Sequence, residues 1–364
     1  MREAFPDADH NPSSLHAEGR RARALIEGAR DRIAAALGAA RNEITFTSGG
    51  TEANTAALFG VARARSGRLL ATPIEHLSVR EPLGRLRDEG FQVAVVPVDS
   101  SGLVDPHVFE KSLDEPTALA SIIYANNEIG TIQPIARLAA IAREHGALFH
   151  TDAVQAPGWL PIDVRDLGVD LLSISAHKFG GPKGVGVLYV RRGVPFVPLL
   201  AGGGQEFGRR SGTENVAGIV GMARALELAV AEASDRSRRV GALRDRLERG
   251  MLATLGDLWV NGADAERIPG ILSVSFAGVD AAAMLIALDL AGVAASAGSA
   301  CSSGSLEPSH VIAALGPREP WGRGAIRFSL GAESSAGEVE RVLALLPPIV
   351  ERLRLQPLAR RGDG

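Results

Sequence analysis

The three lysines of this chain are the first candidates for covalent chemistry. Lysine occurs only at positions 111, 178 and 183, although lysine and arginine together number 39. A lysine amine, unlike a guanidinium, can lose its proton and attack a carbonyl group. Lys178 and Lys183 share the glycine-rich segment 175–184, SAHKFGGPKG. Lys178 follows a buried-looking strand and is the predicted reactive amine. Lys183, after a Gly-Gly-Pro turn, is the rival.

Cys301 is the second candidate. It is the chain's one cysteine, which excludes an internal disulfide, a four-cysteine zinc site and a protein-only iron–sulfur site. It lies in 296–305, ten residues of Gly, Ala, Ser and Cys, which predict a mobile loop carrying a nucleophilic thiol. A buried, inert cysteine is the alternative, against which the small polar neighbours argue. Residues 1–9 lack the apolar core of a signal peptide, so we expect a cytoplasmic protein.

Glycines follow the first predicted strand, in Thr47-Ser-Gly-Gly-Thr-Glu52. A glycine turn that opens a helix presents free N–H groups, which bind phosphate, and the Thr51 hydroxyl adds a donor. Gly50 and Thr51 are therefore candidate phosphate ligands. A plain turn is the alternative, and no Walker pattern is present.

Asp152 ends another predicted strand, in His150-Thr-Asp-Ala-Val-Gln155. Ligands of open α/β sheets bind at the carboxyl ends of strands. A carboxylate there can keep a pyridine nitrogen protonated through a charge-assisted hydrogen bond. A metal site built from His145, His150 and Asp152 is the rival interpretation, and a polar strand end with no ligand is a third.

Arg327 interrupts the apolar strand 325–330, AIRFSL. Alternation places Ile326 and Phe328 on one face and Arg327 on the other. An arginine in such a place can clamp a substrate carboxylate with two hydrogen bonds. Strand spacing alone favours the alternative, an edge strand with a solvated face.

The pattern of elements predicts how these residues are held. Short apolar runs alternate with helical patterns over most of the chain, which predicts an α/β fold. We expect a mostly parallel sheet of the seven-stranded type with helices on both faces, and an antiparallel strand at 187–191. After Glu214, a long helical region and strands near 271–276 and 325–330 predict a smaller α+β domain. We place the domains at 11–230 and at 231–364 with 1–10.

Composition excludes some classes of protein. The 364 residues are 46% hydrophobic and 22% charged, which is typical of a globular protein. A formal net charge of −3 gives no indication of direct nucleic-acid binding. The most membrane-like stretch, 281–300, carries Asp289, so we expect a buried helix there and no membrane span.

The chain as a whole resembles the NifS/IscS-like cysteine desulfurases, class V enzymes of fold type I that depend on pyridoxal 5'-phosphate (PLP). The resemblance rests on colinear motifs spread over nearly the whole sequence. They are NPSS (11–14), TSGGTEAN (47–54), EH (75–76), NNEIG (126–130), HTDAVQ (150–155), SAHK (175–178), RSGTEN (210–215), SACSS (299–303), LEPS (306–309) and IRFSLG (326–331).

The resemblance implies a role for each matching position. Lys178 would bind PLP covalently, and His76 would stack on the ring and move protons. Asp152 would pair with the ring nitrogen and Gln155 with the ring oxygen. The phosphate ligands would be Gly50, Thr51, Ser175 and His177, with Thr213 reaching the phosphate of the partner subunit in a homodimer. Asn127, also close to the ring, and Arg327 would hold the substrate carboxylate.

The implied reaction converts L-cysteine to L-alanine and leaves the sulfur on Cys301 as a persulfide. A protein of iron–sulfur assembly or of thiolation would then accept that sulfur. Two alternatives are another class V PLP lyase or aminotransferase, and an inactive scaffold paralogue. The second is weighed because the family usually begins with a strand and an Ala-Thr-Thr-like segment, which the start at Met1 lacks. We expect that lack to reduce stability and activity.

Overall fold

The computed structural model describes residues 9–298, 309–316 and 321–355. They form two compact units. The first contains the described residues up to Pro97, then Val104–Ala125 and Gln133–Ala233. The second contains Val98–Leu103, Asn126–Ile132 and the described residues from Ser234 onward. The predicted domain boundary at 230/231 does not assign the two short segments Val98–Leu103 and Asn126–Ile132 to the second unit. Strand and helix patterns carry no information on which distant residues a loop packs with.

The first unit is built on a seven-stranded sheet. Its order is β1-β7-β6-β5-β4-β2-β3. The strands β2 to β6 are parallel to one another, and β7 pairs antiparallel with both β6 and β1. The strands are β1 (Ile44–Thr47), β2 (Arg68–Ala71), β3 (Val93–Val95), β4 (Thr117–Ser121), β5 (Leu148–Asp152), β6 (Leu171–Ser175) and β7 (Gly186–Val190). The predicted fold class and the antiparallel strand are confirmed.

Helices surround this sheet. Those of the first unit are α1 (Ala17–Leu37), α2 (Gly50–Ala62), α3 (Leu77–Asp88), α4 (Pro106–Lys111), α5 (Ile135–Glu144), α6 (Val164–Leu167) and α7 (Val216–Ala231). The alanine-rich α2 is buried over most of its length and packs with α3 and the sheet in one apolar core. A polar residue inside α2 must therefore find its hydrogen-bond partners within the protein.

The second unit holds a three-stranded antiparallel sheet in the order β10-β9-β8. Its strands are β8 (Leu258–Val260), β9 (Ile271–Phe276) and β10 (Ala325–Ser329), and its helices are α8 (Ala233–Thr254, whose first residue belongs to the first unit), α9 (Ala281–Leu290), α10 (His310–Ala314) and α11 (Ala336–Arg354). The predicted smaller α+β part is confirmed. Within the described ranges, no helix is long and apolar enough to cross a membrane.

Candidate active site

The carboxyl ends of β5 and β6 bring the predicted site residues of the first unit together. These strands are parallel, with Asp152 opposite Ser173, so Asp152 and Ser175 lie at the same edge of the sheet. The antiparallel β7 begins at that edge, where Gly186 pairs with Ser175. Three neighbouring strands therefore supply one surface on which a ligand can rest, as the rule for open α/β sheets predicts.

The glycines before α2 allow its first turn to approach this edge closely. Gly49, the residue that caps the helix, has φ 153°, a conformation that side chains disfavour. A Cβ on Gly50 would lie 2.8 Å from Val154 Cγ2 and 3.3 Å from Ser175 Cβ. A Cβ on Gly186 would lie 2.6 Å from the Gly49 carbonyl carbon. The helix N-terminus thus faces Ser175 at a distance that only glycine permits, which is a suitable anion cradle.

The lysine segment continues from β6 as a 3₁₀ turn, Ala176–Phe179. Ser175 Oγ and His177 Nδ1 are 2.9 Å apart. Burial, and then the charges of Lys178 and Lys183, lower the pKa of His177, so its ring is neutral near pH 7 and can donate a hydrogen bond. Lys178 is exposed in the single chain, and its charge acts on both His76 and Asp152. The amine therefore belongs to the same cluster as the imidazole and the carboxylate.

Asp152 is a buried carboxylate with fixed partners. Its side chain is 3% exposed. Oδ2 accepts a hydrogen bond of 2.7 Å from Asn54 Nδ2, and Oδ1 accepts one of 2.9 Å from the backbone N–H of Val154. Burial raises the pKa of Asp152, while these donors, the charge of Lys178 and the charge that His76 carries when protonated act in the opposite direction. A cationic group placed against Asp152 would stabilise its ionised form.

His76 caps the N-terminus of α3. Its Nδ1 accepts a hydrogen bond of 3.1 Å from the backbone N–H of Ser78 and lies 2.7 Å from Ser78 Oγ. Burial lowers the pKa of His76, the Asp152 charge opposes that shift and the Lys178 charge adds to it. The ring is half-buried, and it is neutral near pH 7.

Glu75, the residue before His76, is fully buried. Its Oε1 accepts hydrogen bonds of 2.6 Å from Thr72 Oγ1 and 2.9 Å from the Ile123 backbone N–H. Burial, with the Asp152 charge as a smaller cause, raises the pKa of Glu75 to about 8. The neutral acid is therefore the main form at pH 7, and Asp152 is the carboxyl of the two that is suited to carry the charge.

The remaining predicted residues of the first unit are more accessible. Thr51 is exposed in the first turn of α2, and Gln155 is half-buried three residues after β5. Thr213 is exposed. The loop before Thr213 is tied to α2, because Arg210 Nε donates a hydrogen bond of 2.8 Å to Glu52 Oε1. This ion pair holds the loop near the first turn of the helix.

Asn127 and Arg327 lie in the second unit, where they contact each other. Arg327 Nη1 donates a hydrogen bond of 2.7 Å to the Asn127 carbonyl oxygen. Asn127 Oδ1 and Arg327 Nε are buried and have no hydrogen-bond partner among the described residues. Burial lowers the pKa of Arg327, against the charge of Glu128. Arg327 Nε–H can therefore still donate to a carboxylate, and Asn127 Oδ1 can still accept from an N–H or O–H group. Cys301 lies outside the described residues.

The rival metal site receives no support from the geometry. His150 Nδ1 lies 2.8 Å from Ser121 Oγ and its Nε2 lies 3.0 Å from Ser173 Oγ, so both ring nitrogens have protein partners. His145 lies at the end of α5, 3.9 Å from Glu110. In the part of the chain that the structure describes, no group of three or more His, Cys, Asp and Glu side chains can hold a metal ion.

Comparison with known proteins places this geometry in a family. The model of the aminotransferase class-V family matches residues 1–342. The chain belongs to the class-V aminotransferase family. Members of this family depend on PLP, and PLP is the cofactor of this class-V protein.

Two curated relatives of this class-V protein are named cysteine desulfurase IscS. The protein of Dictyoglomus turgidum is 49% identical over 347 residues, which cover 94% of this chain and 88% of that protein. The protein of Methanosarcina thermophila is 46% identical over 352 residues, covering 96% and 87%.

Solved structures show the same likeness. A structure described as a NifS-like protein superposes with a TM-score of 0.89 at 40% identity, covering 98% of this chain and 94% of that one. The NifS-like protein from Rickettsia africae gives a TM-score of 0.87 at 33% identity, covering 96% and 94%.

Two polar residues of this class-V site, Asn54 and Ser78, have roles that their local sequence does not predict. Asn54 lies one turn of α2 after Gly50, and Ser78 lies at the second position of α3. Both are buried, and both belong to the hydrogen-bonded group around Asp152 and His76. The i, i+4 spacing of Gly50 and Asn54 is the signal that could have identified Asn54, since it places the amide on the helix face that approaches the sheet edge.

Proposed function

We infer that this class-V protein is a PLP-dependent cysteine desulfurase, which converts L-cysteine to L-alanine and transfers the sulfur as a persulfide. The observation that carries this conclusion is the cluster of Lys178, His76 and Asp152 at one sheet edge, in a chain that resembles cysteine desulfurases over 94% of its length or more. Neither another class V reaction nor an inactive scaffold is favoured by any feature of the structure.

The residues of the first unit fit PLP. A phosphate suits the cradle between Gly50 and Ser175, which a Cβ would fill, and His177 and Thr51 add donors there. Asp152 is a buried carboxylate that suits a protonated pyridine nitrogen. We propose that His76 stacks on the ring, that Gln155 binds the ring oxygen, and that Lys178, not Lys183, supplies the amine.

PLP supplies an electrophilic carbonyl and a ring that withdraws electrons from the Cα of a bound amino acid. The other tasks belong to the chain. Lys178 Nζ holds the cofactor and then takes the proton from the substrate Cα. Arg327 and Asn127 orient the substrate through its carboxylate. Asp152 holds a negative charge against the ring nitrogen.

Cys301 is the proposed sulfur acceptor. Its thiolate attacks the substrate sulfur, and a new S–S bond forms as the bond between Cβ and sulfur breaks. The electron pair of the broken bond stays on Cβ, which takes up a proton, and Lys178 returns the proton to Cα to give alanine. The products are alanine and a persulfide on Cys301, which an acceptor protein of iron–sulfur assembly or of thiolation would then use.

L-[³⁵S]cysteine tests this proposal directly, because the chain has one cysteine. The PLP-loaded protein should form alanine and retain ³⁵S, and a reductant should release the label as sulfide. Cys301→Ala should keep the absorbance of bound PLP and lose the protein-bound label. If the wild-type protein forms no alanine, the desulfurase function is refuted. If ³⁵S label persists on Cys301→Ala, the role of Cys301 as sulfur acceptor is refuted.

We also propose that the enzyme is a cytoplasmic homodimer, in which Thr213 reaches the phosphate bound by the partner. The exposure of Thr213 in the single chain is consistent with this contact. The domains at 11–230 and at 231–364 with 1–10 stay a prediction, in which the second carries the thiol and the first the cofactor. Light scattering measures the dimer, and Thr213→Ala should weaken PLP binding.

A further inference from the structure

A continuous chain of hydrogen bonds connects His76 with Asp152. Ser78 Oγ lies 2.7 Å from His76 Nδ1. Asn54 Nδ2 lies 2.8 Å from Ser78 Oγ and 2.7 Å from Asp152 Oδ2. Asn54 is fully buried, and Ser78 and Asp152 are nearly so. The two hydrogen bonds of Asn54 are buried and the contact with His76 is part-buried, so the chain is largely shielded from water and can set the protonation of its members.

The direction of this chain follows from the donors that are present. An ionised carboxylate only accepts hydrogen bonds, so the Asn54 atom facing Asp152 Oδ2 is the amide nitrogen. The same NH₂ group has a second hydrogen, which it donates to Ser78 Oγ. Ser78 then has its own hydroxyl hydrogen left to donate to His76 Nδ1. The opposite amide orientation would place two acceptors against each other at Asp152.

The backbone settles the state of His76 Nδ1 independently. A backbone N–H can only donate, and that of Ser78 donates to Nδ1 as the cap of α3. Nδ1 therefore carries a lone pair and no proton, and the neutral ring must carry its proton on Nε2. The positive end of the α3 dipole acts in the same direction, because it disfavours a cation at the N-terminus.

We propose that Asn54 and Ser78 are positioning residues, which hold His76 as the neutral ring with its proton on Nε2. The Nε2 atom of His76 can then donate a hydrogen bond to a bound ligand, and Nε2 cannot accept a proton from that ligand. This inference deepens the proposed function and rests on it for its meaning in catalysis. The charged groups that act on His76 are Asp152 on β5 and Lys178 on the 3₁₀ turn. Glu75, the residue before it, is neutral at pH 7 because its pKa is about 8.

The wild-type holoenzyme gives the first test, which needs no variant to fold. Histidine labelled with ¹⁵N in both ring nitrogens distinguishes a protonated from an unprotonated nitrogen by chemical shift, and the spectrum of His76→Gln identifies the His76 signals. We expect a protonated Nε2 and an unprotonated Nδ1 at pH 7. A proton on Nδ1 overturns the proposal.

Variants of Ser78 supply the second test, in which the His76 signals are followed against pH. Ser78→Ala removes one donor to Nδ1 and should raise the pKa of His76 by roughly half to one pH unit, while Ser78→Thr should restore it. Asn54→Ala should shift the pKa in the same direction by less, because the Ser78 hydroxyl loses its own donor. An unchanged His76 pKa in Ser78→Ala overturns the proposal.

Ser121→Ala is the matched control. It removes another buried serine hydroxyl that lies within 2.8 Å of a histidine Nδ1, that of His150. It should leave the His76 tautomer and pKa unchanged, and an equal shift would assign the effect to general loosening of the fold. Alanine formation is measured separately. If His76 carries its proton on Nε2 but the protein forms no alanine, the proposed desulfurase function is refuted and the positioning role of Asn54 and Ser78 is still supported.

Discussion

The polar groups proposed to hold PLP and those proposed to hold the substrate differ in how far the protein itself satisfies them. In the first unit, both oxygens of Asp152 accept hydrogen bonds, and His76 Nδ1 accepts from Ser78. In the second unit, Asn127 Oδ1 and Arg327 Nε lack a partner among the described residues. Asn54 Oδ1 is the one exception in the Asp152 and His76 group.

This difference matches the time for which each ligand stays. An unpaired buried polar atom costs about 1–3 kcal/mol, which a ligand can return when it binds. A cofactor that remains bound gains from groups already fixed in place, because nothing must be reordered in each turnover. A substrate that enters and leaves can be held by groups whose hydrogen bonds are completed only while it is present.

The largest effect is expected from the residue that would join cofactor and protein. Lys178→Ala should lower the rate of alanine formation by at least about 10³-fold, since both the covalent attachment and the proton acceptor are lost. The absorbance of PLP bound covalently to lysine should disappear with it. Lys183→Ala, five residues along the same segment, is the matched control and should retain both. If the absorbance persists in Lys178→Ala and vanishes in Lys183→Ala, the attachment belongs to Lys183.

Arg327 tests the second group. Arg327→Ala removes a charge-assisted hydrogen bond to the substrate carboxylate and should raise KM for L-cysteine about 10- to 100-fold, with a smaller change in kcat. L-cysteine methyl ester, which lacks the negative charge, is the control ligand. The wild-type enzyme should bind L-cysteine much more tightly than the ester in spectral titrations, and the variant should bind both alike. An undiminished preference for L-cysteine would remove Arg327 from the carboxylate site.

Much of the fold could be predicted because the strands of the large sheet are short, buried apolar runs. The predicted run at 147–151 lies within one residue of β5 at each end, and so Asp152 was expected at its carboxyl end. The strand β8, Leu258–Val260, is not among the predicted strands. The segments Val98–Leu103 and Asn126–Ile132 join the second unit through contacts that local sequence does not encode.

The candidate site divides in the same way. Residues that perform chemistry, such as Lys178 and Asp152, are recognisable because their side chains are rare or charged at that place in the pattern. Asn54 and Ser78 are common residue types inside helices, and their roles depend on partners 98 and 24 residues away in sequence. Glu75 is similar, because nothing in its local sequence indicates that the structure buries it completely.

Substitution of Glu75 is expected to give the smallest effect, a change in how the stability of the protein depends on pH. It tests whether the buried groups near Asp152 are held in one protonation state. The Glu75 pKa of about 8 in the folded protein lies above the ordinary value of 4.5, so the folded state retains a proton that the unfolded state loses. The contribution of this proton to the free energy of unfolding is therefore fully present below pH 4.5 and is lost as the pH rises to about 8. Glu75→Gln keeps an oxygen that can accept from Thr72 and Ile123, and it does not titrate.

Thermal unfolding of the two proteins at pH 5 and pH 8 measures this contribution. The Tm of Glu75→Gln should rise relative to that of the wild-type protein by a few degrees between these pH values, because only the wild-type protein must bury an acid that water would ionise. Glu89→Gln, which changes an exposed acid paired with Arg63, should show no such trend. Parallel Tm curves for wild type and Glu75→Gln would mean that Glu75 is ionised in the fold, and two charged carboxylates would then share the environment of Asp152.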